Sequence, residues 1–275
     1  MNLTDIFLLS RPQQWYKNLV IFVPLIFSLH LFSPYAFLRI SLGFLSLCLV
    51  SSAYYIVNDI FDAKNDAAHP EKRSRPIAAG RISSITAGIT ALLFLFAALF
   101  ASFSLHYYFF LTTLILFLNT LLYTILLKKE FFLDAIAIAC NFVIKSLSGV
   151  FLFLENVELS PWITISVFSL ALFLVLGKRR ADVVPRQDYK KEVTDALLLI
   201  CATILLLSFV FYAIINVQKL IITFPIAFYV LARYLSCIFA GSPIARSPEK
   251  AFTDPRICTG IFLWIFAVII ILYVV

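Results

Sequence analysis

The chain has 275 residues, of which 62% are apolar and 13% charged, with 29 Phe against 7 Gly and a mean hydropathy of +0.99. That balance excludes a soluble enzyme, a disordered chain and a nucleic-acid-binding domain, so the formal charge of +7 must be read against a bilayer. Roughly 170 apolar residues, at about 20 per transmembrane helix, suffice for eight or nine spans.

In chain order, apolar runs with few charges predict nine helices at about 18–35, 37–57, 84–104, 107–127, 131–153, 160–177, 195–215, 219–240 and 257–275. Lipid offers backbone amides no partner, so the expected fold is an all-α, polytopic membrane bundle. The first run is the weakest, being short and containing Pro24. Ahead of it, Asp5, Arg11 and Pro12 do not make a cleavable secretory leader, so this helix reads as retained. The five cysteines, Cys48, Cys140, Cys201, Cys237 and Cys258, have no metal-binding spacing and read as small hydrophobes.

The connections are unequal. Long segments at 58–83, 178–194 and 241–256 lie on one side, and short turns near Ser33, Leu105, Asn156 and Val217 on the other. Of the 22 Lys and Arg, all but Arg39, Lys145, Lys219 and Arg233 fall on the long-loop side. Positive residues resist translocation, which places the long loops and the N-terminus in the cytoplasm of a cell (inner) membrane. Basic loops that only set topology explain most of these charges. They do not explain why every acid except Glu155 and Glu158 lies on or near the same face.

The stretch Asn58-Asp59-Ile60-Phe61-Asp62-Ala63-Lys64-Asn65-Asp66 follows the second run. Asn58, Asp62 and Asp66 are spaced i, i+4, i+8, which on a continuing helix drifts by only about 40° per step. Like charges at that spacing repel, and a bound cation reverses the sign. Oxygen-only ligands suit Mg²⁺, completed by water and substrate phosphate. A solvated polar loop explains the acids alone equally well. Next come His69 and Pro70, then Lys72, Arg73, Arg75 and Arg81, four cations that with a metal could hold a diphosphate. Anchoring to anionic headgroups is the competing reading. His69 itself reads as a helix-end hydrogen-bonding residue.

These residues carry a resemblance. Asn58-Asp59-x-x-Asp62-x-x-x-Asp66, then His69-Pro70-x-Lys72-Arg73-x-Arg75-Pro76-Ile77, resembles the first motif of the UbiA superfamily of intramembrane prenyltransferases. The wider sequence is most similar to its decaprenyl-phosphate phosphoribosyltransferase branch, through Arg11-Pro12-x-Gln14-Trp15-x-Lys17-Asn18, Tyr123 to Lys128 with Asp134, and Gly177-Lys178-Arg179-Arg180-Ala181-Asp182. Prenyl-transferring members usually carry a second acidic pair, DxxxD, after the sixth span. Here Lys178 stands at its first position if Asp182 is its second. A lysine there neutralises phosphate directly and fits phosphoribosyl diphosphate as donor, with Arg186, Lys190 and Lys191 as further cations or plain anchors.

The resemblance implies a single transmembrane domain over 1–275, with nine helices around a central polar cavity open to the cytoplasmic side. It implies Mg²⁺-dependent transfer of a 5-phosphoribosyl group from phosphoribosyl diphosphate to a polyprenyl phosphate. Metal ligands would be Asn58, Asp62 and Asp66, with Asp59 orienting them; Asp59, Asp62 and Asp66 form the catalytic set. Donor phosphates fall to Lys72, Arg73, Arg75, Tyr123, Lys128, Lys178, Arg179 and Asp182, and the acceptor to Arg11, Gln14, Trp15, Lys17 and Lys145. Trp15 also suits an interfacial anchor. Lys145 shares one face of the fifth run with Asp134, Asn141 and Ser148, and a lysine at that depth needs a polar cavity or a partner such as Asp134. Arg233, beside Tyr229 and Tyr234, invites the same treatment. Prenyl transfer to an aromatic acceptor and a non-enzymatic lipid transporter are the alternatives, and self-association into a homo-oligomer stays open.

Overall fold

The computed structural model describes residues 3–70, 72–153, 159–182 and 189–274. Among them there are helices and turns and no strand. The α-helices are α1 (Leu3–Ser10), α2 (Val23–Phe27), α3 (Pro34–Ala68), α4 (Ser84–Leu105), α5 (Tyr107–Ile125), α6 (Leu133–Val150), α7 (Pro161–Ala181), α8 (Lys191–Asn216), α9 (Phe224–Phe239), α10 (Pro243–Arg246) and α11 (Pro255–Tyr273). Eight described helices are long and apolar enough to cross a membrane, counting α9 with the 3₁₀ turn Gln218–Thr223 that leads into it. The ninth, expected at 18–35, is instead a 3₁₀ segment, Pro12–Phe22, continued by the single-turn α2. Pro12 and Pro24 each remove a backbone donor, which suits short helical pieces better than one long helix.

The ends of the helices follow from local chemistry. Ser33 caps α3 by accepting from the Ala36 amide, with Pro34 in the first turn. Ser83 and Asp254 cap α4 and α11 in the same way. Gly241, at φ 63°, ends α9: its amide bonds Ile238 O and the Ser242 amide bonds Cys237 O.

Two compact units divide the chain. The first comprises Met1–Glu130 and Ile144–Glu158. Its core packs Ile21 and Leu25 with Ile40, Leu47, Phe109 and Leu116, and a smaller cluster joins Leu9 and Ile56 to Ile77 and Ile82. Arg39 donates to the carbonyls of Leu105, at the end of α4, and of Leu152, at 2.9 Å, satisfying groups that helix ends leave without partners. The second unit comprises Phe131–Val143 and Leu159–Val275, with Phe173, Leu176, Leu198 and Ile238 at its centre. On α4, Ile85, Ile89, Leu92, Phe96, Phe100 and Phe103 are each more than half exposed. Such a stripe is tolerable against hydrocarbon and not against water. All five cysteines are free thiols, and Cys48, Cys201 and Cys237 are buried.

Candidate active site

α3 does not stop where its apolar run ends. It continues through the polar stretch to Ala68, so the connection expected from residue 58 begins at His69, whose amide closes the helix on Asp66 O. Asn58, Asp62 and Asp66 therefore occupy successive turns of one helix, and the Asn58 amide donates to Asp62 Oδ2 at 3.0 Å. The Thr124 hydroxyl of α5 donates to Asn58 Oδ1 at 3.5 Å, and the Lys128 ammonium, from the 3₁₀ turn Leu127–Lys129, donates to the same Asp62 Oδ2. One turn round, Arg75 Nη1 donates to Asp59 Oδ1 at 3.0 Å and to Asp66 Oδ2 at 2.5 Å. Arg11 also donates to Asp59 Oδ1. Asp59 and Asp66 are 2% and 3% exposed, which a carboxylate tolerates only with cations this close.

The segment carrying Arg75 is folded. The Lys72 and Arg73 amides bond His69 O, the Ala79 amide bonds Arg75 O, and Ile77 and Ile82 bury with Leu9 and Ile56. Gly80, at φ 71°, makes the turn before α4. Lys72 and Arg73 point outward and are exposed, whereas Arg75 is partly buried.

The N-terminal segment meets the same helix. Arg11 sits at φ 51°, ψ 57° and lies 5.4 Å from the centre of the Tyr55 ring. Burial pulls its guanidinium below the ordinary value, and Asp59 offsets part of that. The Gln14 backbone N–H donates to Arg11 O, and Lys17 lies 5.8 Å over the Tyr16 ring. Trp15, expected at the interface, donates its indole N–H to Ser52 Oγ at 3.1 Å, and Ser52 donates to Ser10 O. Lys145 is 2% exposed and donates to the Tyr54 hydroxyl at 3.2 Å; Tyr54 donates to Ser51, and Ser51 to Asn18. This buried polar chain was not anticipated from sequence, although Ser51, Ser52, Tyr54 and Tyr55 interrupt an apolar run and could have announced it. Tyr123 is half-buried on α5.

In the second unit, Lys178, Arg179 and Arg180 form the last turn of α7, and Asp182 is its C-cap. Lys178 is exposed. Arg179, expected on phosphate, donates to Asp134 Oδ2 at 2.9 Å, while the Tyr189 hydroxyl donates to Asp134 Oδ1. Burial, then its bond to Asp134, pushes the Tyr189 phenol up from its ordinary pKa. Arg180 grips both oxygens of Asp195, at 2.6 and 3.4 Å. Lys190 and Lys191 are exposed, and Arg186 lies outside the described residues, as do Glu71, Glu155, Asn156 and Glu158. Arg233 donates to Asp254 at 3.0 Å.

Among the described residues, no three His, Cys, Asp or Glu side chains converge as a metal-holding group. A hard divalent ion at the stripe would thus have two carboxylates and one amide oxygen, a donor set of the kind Mg²⁺ accepts when water and phosphate complete its shell. The donor chemistry of Asn58, Asp62 and Asp66 suits that ion, while in this structure Asp62 bonds Asn58 and Lys128, and Asp66 bonds Arg75.

The model of the UbiA prenyltransferase family matches residues 19–266. The chain belongs to the UbiA prenyltransferase family. A likeness to solved UbiA folds spans nearly the whole chain: a UbiA homolog from Archaeoglobus fulgidus, solved with GPP and Mg²⁺ bound, superposes with a TM-score of 0.74 at 19% identity over 96% of this chain and 99% of that one. A structure of digeranylgeranylglyceryl phosphate synthase gives 0.68 at 17% identity, over 99% and 97%. Among UbiA-like sequences, the decaprenyl-phosphate phosphoribosyltransferase of Mycolicibacterium smegmatis is 31% identical over 62% of this chain and 55% of its own length, and that of Mycobacterium tuberculosis 28% over 62% and 58%. Uncharacterized protein y4nM of Sinorhizobium fredii is 32% identical over 67% of this chain and 36% of its own. The matches thus cover about a third to three fifths of these relatives.

Proposed function

We propose that this UbiA-family protein transfers a 5-phosphoribosyl group from phosphoribosyl diphosphate to a polyprenyl phosphate and releases diphosphate. The observation that carries the proposal is the α3 stripe of oxygen donors bordered by Arg75 and Lys128. The donor assignment is supported by the relatives named decaprenyl-phosphate phosphoribosyltransferase and by Lys178 where a second acidic pair would begin.

Asn58, Asp62 and Asp66 would hold Mg²⁺, which when bound supplies positive charge against the departing diphosphate oxygens. Lys72, Arg73, Arg75 and Lys128 bind donor phosphates. Asp59 holds Arg11 and Arg75 in place and is read as a positioning residue. Tyr123 borders the ribose or its phosphates. Arg11, Gln14, Trp15 and Lys17 receive the lipid headgroup, and Lys145 supports that segment through Tyr54, Ser51 and Asn18. In the reaction the ribose C1–O bond to diphosphate breaks, diphosphate keeps the electron pair, and a lipid phosphate oxygen forms the new C1–O bond. That oxygen is already anionic near neutral pH, so no general base is required. The N-terminus and basic segments are assigned to the cytoplasm, where a soluble donor is available.

The test is incubation of purified protein with Mg²⁺, labelled phosphoribosyl diphosphate and a polyprenyl phosphate. Label entering the lipid phase, lost in Asp62→Asn, is the expected result. Transfer unchanged in Asp62→Asn removes the metal assignment. No transfer, but turnover of a prenyl diphosphate with an aromatic acid, moves the function to prenyl transfer.

A further inference from the structure

Lys128 and Arg75 have two tasks that they cannot perform at once. Asp62 Oδ2 accepts from both the Lys128 ammonium and the Asn58 amide. Those two donors use the lone pairs of that oxygen, so a metal can reach it only when one of them leaves. Asn58 is one turn away on the same helix and cannot go far, whereas Lys128 is a third exposed on a flexible stem. Asp66 Oδ2 stands in the same relation to Arg75, which is a quarter exposed and keeps Asp59 as a second partner.

We infer that Lys128 and Arg75 are exchangeable counter-ions of the α3 carboxylates, which yield Asp62 and Asp66 to a divalent cation and turn to the phosphates arriving with it. This rests on the metal assignment proposed above and adds a coupling that the assignment does not contain. Six charged groups, Arg11, Arg75, Lys128, Asp59, Asp62 and Asp66, sum to zero as paired. A divalent ion alone competes with Lys128 for Asp62 and with Arg75 for Asp66, and no phosphate is there to receive them. A diphosphate alone must draw those cations away from carboxylates that then face its own charge. Together the two ligands satisfy every group, so each strengthens the binding of the other.

The exchange predicts opposite signs at one residue. Lys128→Met leaves Asp62 without its competitor, so binding of a divalent ion alone tightens; it also removes a phosphate ligand, so binding of diphosphate alone weakens. We would titrate the full chain in zwitterionic nanodiscs with Mn²⁺, counting free ion by its EPR signal in the absence of phosphate. Separately we would titrate labelled inorganic pyrophosphate in the presence of chelator. For Lys128→Met the expected changes are about five-fold or more tighter for Mn²⁺ and about five-fold or more weaker for pyrophosphate. Lys128→Arg keeps both affinities near wild type, and Lys129→Met, on the exposed neighbouring residue, leaves both unchanged.

Weakening of both ligands in Lys128→Met reveals a merely structural lysine and overturns the exchange. Unchanged Mn²⁺ affinity reveals a plain phosphate ligand and does the same, as does an equal gain in Lys129→Met, which reveals only a local field. Asp62→Asn separates the layers: if it retains wild-type Mn²⁺ affinity, the metal site itself is misassigned and the exchange falls with it. If it loses that affinity while Lys128→Met shows no gain, the metal site stands and the exchange alone is wrong.

Discussion

Replacing Arg179 by Met tests whether this arginine serves the fold or a phosphate. Asp134 is fully buried, and its two oxygens are taken by Arg179 at 2.9 Å and by the Tyr189 hydroxyl. The methionine fills part of the same volume and withdraws the guanidinium from a buried carboxylate, while the Tyr189 hydroxyl stays on the other oxygen. Breaking a buried pair from one side costs about 3–5 kcal/mol, and the retained Tyr189 bond puts the expectation near the lower end, about 3 kcal/mol. Adding Asp134→Asn removes the stranded charge, so the double variant recovers most of the loss and lies within about 1 kcal/mol of Asp134→Asn alone. Unfolding in mixed micelles by added SDS, followed by tryptophan fluorescence, measures both. A single variant as stable as wild type, or a double variant that is additive, refutes the reasoning. A stable Arg179→Met protein with weakened pyrophosphate binding would instead return Arg179 to the phosphate role suggested by its sequence context.

Three glycines give a graded series by the same assay. A Cβ at Gly149 would lie 2.4 Å from the backbone oxygen of Ile21, which cannot rotate away; at Gly43 the 2.4 Å neighbour is the tip of Leu152; at Gly88 nothing lies within 4 Å. Gly149→Ala is expected to cost about 3 kcal/mol and Gly43→Ala about 1–2, whereas Gly88→Ala stabilises α4 by about 0.5–1. Asp254 is held below the ordinary carboxylate range by the Ile257 amide first and also by Arg233. Because the folded value is the lower one, its stabilisation is complete above the unfolded pKa of about 3.9 and fades as pH falls through the folded value. Asp254→Asn keeps a good helix cap but flattens that acid limb in a plot of unfolding midpoint against pH; an unchanged limb assigns it to other groups.

Much of the architecture was legible because a bilayer leaves long apolar runs only one structure. The runs expected at 84–104 and 107–127 are realised as Ser84–Leu105 and Tyr107–Ile125. The departures come where two signals compete. Polarity after Tyr55 marked the end of a membrane crossing but not the end of a helix, since nothing between Asn58 and Ala68 breaks one, and Pro70 follows just beyond. Around Pro24 the apolar content suggested a span, and two prolines overruled it. The oxygen stripe was readable because its members lie within nine residues of one helix. Its counter-ions were not, since Lys128 lies 66 positions from Asp62 and Arg11 lies 48 from Asp59. Spacing rules end with the helix, so the basic residues could be assigned to phosphate as a class and not to their carboxylates one by one. Arg179 and Asp134, 45 positions apart, show the limit most plainly.

The unbroken course of α3 has a mechanical consequence. Its 35 residues make a shaft of about 52 Å at 1.5 Å per residue, against roughly 30 Å of hydrocarbon. The lipid-embedded part and the charged tip thus share one torsional phase: a single residue inserted among the apolar turns would swing Asn58, Asp62 and Asp66 by about 100°, while touching none of them. A lesion deep in the greasy half of that shaft should therefore silence the chemistry as thoroughly as loss of a carboxylate, and a compensating deletion one or two turns onward should bring it back.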